Sequence, residues 1–152
     1  WTYTVHLNLN VPFLVTQKFV PAMKASSWGR IINIASMQSN RAFPNGISYG
    51  AAKGGVAQLT SAMAEAWSAY GITANALAPG FFLTKQNRAL LTNTDGSLTH
   101  RGQQIIDQTP MGRYGTPDDL VGTTLWLCGE ESKFVTGVVI PIDGGFAAYS
   151  GV

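Results

Sequence analysis

Ser36, Tyr49 and Lys53 are the residues of this 152-residue chain whose types and spacing could do chemistry together. Tyr49 and Lys53 lie four apart in a segment of helical pattern, so their side chains share one face. An ammonium beside a phenol favours the phenolate and draws the phenol's pKa down from about 10. A phenol tuned in this way can exchange a proton with a carbonyl or hydroxyl nearer neutral pH. Ser36 ends the run Arg30-Ile31-Ile32-Asn33-Ile34-Ala35-Ser36, which is short, apolar and β-branched, the pattern of a strand buried on both faces. Open α/β sheets bind ligands at the carboxyl ends of their strands, so the Ser36 hydroxyl is placed to hold a carbonyl oxygen beside Tyr49. By chance, a Ser thirteen residues before a Tyr-x-x-x-Lys pair arises about 0.01 times in a chain of this composition.

Further elements must hold these groups in place. From Tyr3 to Met23, Val5, Leu9, Phe13 and Val20 recur near helical spacing, with Pro12 and Pro21 as interruptions. A polar stretch with Pro44, Asn45 and Gly46 precedes a helix from about Ser48 to Tyr70, ended by Gly71. Its Ala51, Ala52, Gly54 and Gly55 are small enough for close approach of a helix or a cofactor. Ile72 to Ala78 is a second strand, stopped by Pro79-Gly80. Residues 81–113 are mixed in polarity, contain the turn Asn93-Thr94-Asp95-Gly96, and read as a lid with short helices. Thr116 and Pro117 suit the N-cap and first turn of a helix running to about Cys128, with Asp118 and Asp119 near its positive end. Val138 to Ile142 is a third strand, followed by Asp143-Gly144-Gly145. Alternation of helix and strand predicts parallel strands with right-handed crossovers, an α/β sheet in a single domain.

Composition narrows the function. With 45% hydrophobic and 12% charged residues, the chain is a globular domain rather than a disordered one. A net charge of +2 without any Lys/Arg cluster speaks against nucleic acid and anionic membranes as partners. No apolar run approaches 18 residues. His6 and His100 are isolated, so no metal site is expected. The single Cys128 excludes an internal disulfide and favours a cytoplasmic setting.

Several motifs together resemble the short-chain dehydrogenase/reductase family. They are Asn33-Ile34-Ala35-Ser36, Tyr49-Gly50-Ala51-Ala52-Lys53-Gly54-Gly55, Asn75-Ala76-Leu77-Ala78-Pro79-Gly80, Gly112 to Leu120, and Val135-Thr136-Gly137 running to Asp143-Gly144-Gly145. The resemblance covers essentially all 152 residues in the family's order. It implies a Rossmann-like doubly wound parallel sheet and an oxidoreductase using NAD or NADP. Tyr49 would be the general acid/base, Lys53 would also bind the nicotinamide ribose, and Ser36 would polarise the substrate carbonyl. Asn8 matches the helix Asn that the family uses to hold a proton-relay water. Pro79, Gly80, Phe82 and Thr84 match the segment that contacts the nicotinamide carboxamide and cofactor phosphates. The family also implies a homo-oligomer, a dimer or a tetramer that pairs the two long helices.

Within the family, Ser36-Met37-Gln38-Ser39, Phe81 to Arg88 and the terminal Asp143 to Gly151 look most like the enzymes of sugar acids, the gluconate and mannonate/fructuronate kind. A hydroxylated acid needs a carboxylate partner and hydroxyl-binding groups, for which Gln38, Arg41, Gln86, Asn87 and Arg88 are the candidates. The family's glycine-rich dinucleotide fingerprint and its first strands do not occur in the sequence. The chain therefore reads as the carboxyl-terminal part of such an enzyme, three strands of the sheet, with its first strand lacking a neighbour. A 3-oxoacyl-type reductase shares the same motifs, and a non-catalytic half-domain acting as an interaction module is the reading outside enzymology.

Overall fold

The computed structural model describes residues 1–151. Thr2 to Ser26 form one helical run, made of α1 (Thr2–Val5), a π-helical turn at His6–Asn10, and α2 (Val11–Ser26). The two prolines do not interrupt it as the sequence suggests. Pro12 lies in the first turn of α2, where a missing N–H costs little, and the wider π turn just before it gives the ring room. Pro21 sits inside α2 between buried Val20 and Met23, which packs on the core, so tertiary contacts hold the helix through it.

The remaining order is β1 (Gly29–Ile34), α3 (Ile47–Trp67), β2 (Ile72–Pro79), α4 (Arg88–Leu91), α5 (His100–Asp107), α6 (Asp118–Cys128) and β3 (Val139–Ile142). The strands form one parallel sheet in the order β1-β2-β3, with Ile31 opposite Ala74 and Leu77 opposite Ile140. This is the expected α/β architecture, with strand boundaries displaced by at most two residues. Gly71 closes the end of the α3 segment with φ 75°, a left-handed conformation that a side chain would strain.

The core lies where α3 meets the sheet. Met63 and Ala64 pack with Ile31, Ile72 and Ala74, while Val56 packs with Ala35, Ala76 and Ala78. β2 is buried from Ile72 to Ala78, with α3 and α6 both packed against it. Two asparagines of the motifs act as internal braces. Asn33 is buried and donates to Thr60 Oγ1 at 2.9 Å, tying β1 to α3. Asn75 donates to the Val135 carbonyl at 2.9 Å and accepts from the Val138 N–H at 3.3 Å, tying β2 to the approach of β3.

The N-terminus of α6 is capped differently from expectation. The Asp119 carboxylate accepts from the Thr116 N–H at 2.7 Å and the Thr116 hydroxyl at 3.1 Å, so that hydroxyl is engaged by the acid and no side chain caps the helix. Arg113 pairs with the same carboxylate, both contacts at 2.8 Å, and with the Thr116 N–H bond this holds the Asp119 carboxyl far below the usual range.

The two sheet edges differ. Gly29 and Ala35 donate to β2 and its approach, and by the alternation of a parallel ladder Arg30, Ile32 and Ile34 turn their N–H and C=O groups away. Ile34 is half exposed there. On β3 the outward positions are Val139 and Pro141, and proline has no N–H to offer.

Candidate active site

Ser36 lies two residues past the end of β1 and initiates a short 3-10 turn, Met37–Ser39. Its backbone is extended, and its hydroxyl oxygen accepts the Gln38 N–H at 3.1 Å. With that lone pair engaged, the Ser36 O–H remains available as a donor. The turn sits against α3, which presents Tyr49 and Lys53 one helical turn apart. Lys53 is buried, and its ammonium lies 5.5 Å from the Tyr49 ring centroid and donates to the Ile34 carbonyl at 2.8 Å. Burial draws the Lys53 pKa below its ordinary value. One of its three N–H donors is engaged in this way, leaving two.

Asn8 lies in the π turn, and its carboxamide donates to the Thr4 carbonyl at 3.0 Å. It lines a groove of about 440 Å³ together with Lys53 and the outward edge of β1. Thus Asn8 and Lys53 face one space, although they are 45 positions apart in the sequence.

At the carboxyl end of β2, Pro79, Gly80, Phe82 and Thr84 line a second groove of about 390 Å³ with Gln86 and Asn87. Gly80 permits the chain to run close to Asp143 just past the ends of β2 and β3, since a Cβ there would stand 2.7 Å from the Asp143 Cα. The Asn87 carboxamide accepts from the Thr84 N–H and donates to the Phe82 carbonyl, both at 2.8 Å, so it shapes this segment from within.

The other polar candidates separate. Arg41 donates to the Phe146 carbonyl at 2.8 Å and lies over the Phe146 ring, fastening the segment after β3. Arg88 is exposed at the start of α4, and its side chain makes no hydrogen bond or ion pair among the described residues. Gln38 sends its buried Oε1 toward Gly46, where it has no hydrogen-bond partner.

The sequence did not single out a wall formed by Phe43, Phe81 and Phe146, whose ring centroids are 5.2–5.9 Å apart. Together with Arg101 and Gln104 of α5 and Gln108 at its C-cap, they line a cavity of about 390 Å³. The 101/104/108 spacing was the available signal, since it places three polar side chains on one helix face. The span 81–113 contains α4, α5 and a turn at Asn93–Gly96, as its mixed composition suggests.

A serine just past the carboxyl end of a parallel strand thus stands on a turn packed against the helix that carries a phenol and a buried ammonium. Residues 1–147 match the family model described as enoyl-(acyl carrier protein) reductase. The chain belongs to the short-chain dehydrogenase/reductase family. It is 47% identical over 146 residues to an uncharacterized oxidoreductase, UxuB, of Bacillus subtilis strain 168, covering 95% of this chain and 52% of that protein. A Haemophilus influenza protein proposed to be a D-mannonate oxidoreductase, solved with bound NAD, superposes with a TM-score of 0.90. The two share 43% identity, over 97% of this chain and 53% of that one. A gluconate 5-dehydrogenase of Burkholderia cenocepacia, solved with NADP and tartrate, gives a TM-score of 0.84 and 41% identity, over 93% of this chain and 53% of that one. The chain thus spans about half the length of the relatives it matches.

Proposed function

We propose that the protein to which this chain belongs is an NAD(P)-dependent oxidoreductase that interconverts a keto and a hydroxy group of a sugar acid. The observation that carries this reading is the Ser36–Tyr49–Lys53 arrangement. A free serine O–H at a strand end and a phenol beside a buried ammonium are the groups a carbonyl needs to accept a hydride and a proton. When bound, the nicotinamide supplies or receives the hydride. The chain's own groups do the rest. Ser36 donates to the substrate oxygen and holds it, and Tyr49 delivers or removes the proton at that oxygen. Lys53 stabilises the charge that forms on the phenolic oxygen and offers its two remaining N–H donors to ribose hydroxyls. Pro79 to Thr84 suits the nicotinamide end of the cofactor, because this segment lines the groove at the carboxyl end of β2, where open α/β sheets take their ligands. Asn8 shares the Lys53 groove and is the candidate for holding a relay water.

The sugar-acid reading is supported by likeness to the gluconate 5-dehydrogenase and by unengaged polar groups around the site. The buried Gln38 Oε1, two residues from Ser36, is an acceptor awaiting a donor such as a substrate hydroxyl. Arg88 keeps its guanidinium for a carboxylate, whereas Arg41 is already engaged with Phe146. Replacing Tyr49 by Phe in the longest natural polypeptide that contains this chain tests the reading. Turnover of a keto sugar acid should fall by about 10²–10⁴-fold, while the cofactor dissociation constant changes little. Turnover within tenfold of the parent would refute it.

A further inference from the structure

We propose that Ser39 is a positioning residue for this reaction, its hydroxyl bracing Ser36 against the helix that carries Tyr49 and Lys53. The inference rests on the acid/base reading above. Ser39 Oγ donates to the Lys53 carbonyl at 2.8 Å and accepts from the Ser36 N–H at 3.3 Å. Its own N–H donates to the Ser36 carbonyl at 2.9 Å. One hydroxyl therefore touches the backbone of two of the three reacting residues.

Asn33 on Thr60 and Ala35 on Val56 fix β1 against α3, and the brace sets the turn beyond them that carries the Ser36 hydroxyl. Ser36 and Tyr49 are joined by a three-residue 3-10 turn and the segment 40–46, which has no regular structure. A 3-10 turn of that length has poor hydrogen-bond geometry and is easily reoriented. No other side chain of the turn hydrogen-bonds to α3 among the described residues. The Ser36 hydroxyl takes its direction from the turn, since its oxygen is held by the Gln38 N–H. Rotating the turn away from α3 would therefore swing the Ser36 O–H away from an oxygen that Tyr49 must also reach.

The test uses the longest natural polypeptide containing this chain, with a keto sugar acid and reduced cofactor. Ser39→Ala should lower kcat roughly 10–100-fold, the scale of a misplacement near 1 Å, with the cofactor KM nearly unchanged. Ser39→Thr keeps the hydroxyl and should restore most of kcat. Ser39→Cys preserves size with a weak donor and should show the loss even where Ser39→Ala folds poorly. Ser68→Ala removes a comparable hydroxyl-to-carbonyl bond at the far end of α3 and should leave kcat alone. The decisive arm is the double variant: if Ser39 acts through Ser36, Ser39→Ala costs nothing more in a Ser36→Ala background. Equal losses in both backgrounds, or Ser39→Ala and Ser39→Cys both at parental kcat, would overturn the brace alone. An unimpaired Ser36→Ala enzyme would overturn the role of Ser36 in the reaction and the brace with it.

Discussion

Gly80→Ala subjects the carboxyl end of β2 to a measurable test. A Cβ at Gly80 would stand 2.7 Å from both Cα and Cβ of Asp143, whereas ordinary contact begins at 3.4 Å. The shortfall is 0.7 Å, and the obstacle is largely backbone, so β2 and β3 must part rather than a side chain turn aside. Taken along the Gly80 N–H to Ile142 carbonyl bond, now 2.9 Å, that shift gives a separation of about 3.6 Å, beyond hydrogen-bonding range. Losing one such bond costs about 1 kcal/mol and overpacking a further 1–3, together roughly 2–4 kcal/mol. For a domain of this size the melting temperature should fall by roughly 5–15 °C. Because Gly80 lies in the Pro79 to Thr84 segment proposed for the nicotinamide end, cofactor affinity should fall with it. Thermal unfolding followed by circular dichroism, alongside a cofactor titration, reads both effects. A melting temperature within about 2 °C of the parent would show that the two strand ends can separate freely, and the close-approach argument would fail.

Other expectations follow from single contacts. Burial lowers the Lys53 pKa, so between its folded and unfolded values the unfolded chain binds more protons and stability rises with pH. The unfolding free energy of the parent minus that of Lys53→Met should therefore climb across the alkaline window and stay flat below it; denaturant melts giving a pH-independent difference would contradict this. Arg88→Gln should raise KM for a sugar acid more than for the matching neutral polyol, while Arg41→Gln should affect both alike by loosening Phe146; steady-state kinetics with equal Arg88→Gln effects would clear Arg88. Purified alone, the 152-residue chain should self-associate through the outward edge of β1, and Ile34→Lys should reduce its mass in light scattering. A monomeric parent would refute that.

Much of the fold was legible because its signals are local. β-branched runs marked the strands, Pro79-Gly80 marked a strand end, and Gly71 marked the end of the α3 segment. The catalytic candidates were legible for the same reason, as a four-residue spacing on one helix and a serine ending an apolar run. What escaped the sequence depends on contacts between distant segments. Asn33 reads as an oddity in an apolar strand until Thr60, 27 residues on, supplies its partner. Arg41 reads as a free cation until Phe146, 105 residues on, accepts its hydrogen bond. Ser39 looks like any small turn residue, because its importance lies in the Lys53 carbonyl, a backbone atom that carries no sequence signature. Pro12 and Pro21 misled for the converse reason, since a π turn and core packing absorbed what local propensity forbids.

Lys53 joins the outward edge of β1 to the proposed acid/base pair. Its ammonium bonds to the Ile34 carbonyl, one of the groups that β1 turns away from β2. A strand paired along that edge would present its own N–H groups to the same row of carbonyls, and so compete for the oxygen that Lys53 now holds. Displacing Lys53 returns a third N–H donor to a buried ammonium already 5.5 Å from the Tyr49 ring. A buried cation deprived of one partner gains more from the next, whether a ribose hydroxyl or a phenolic oxygen, because desolvation leaves it few alternatives. The β3 edge carries no such link, for Pro141 withholds the N–H that a partner strand would need there. A strand beside β1 and the proposed acid/base pair would thus draw on the same carbonyl.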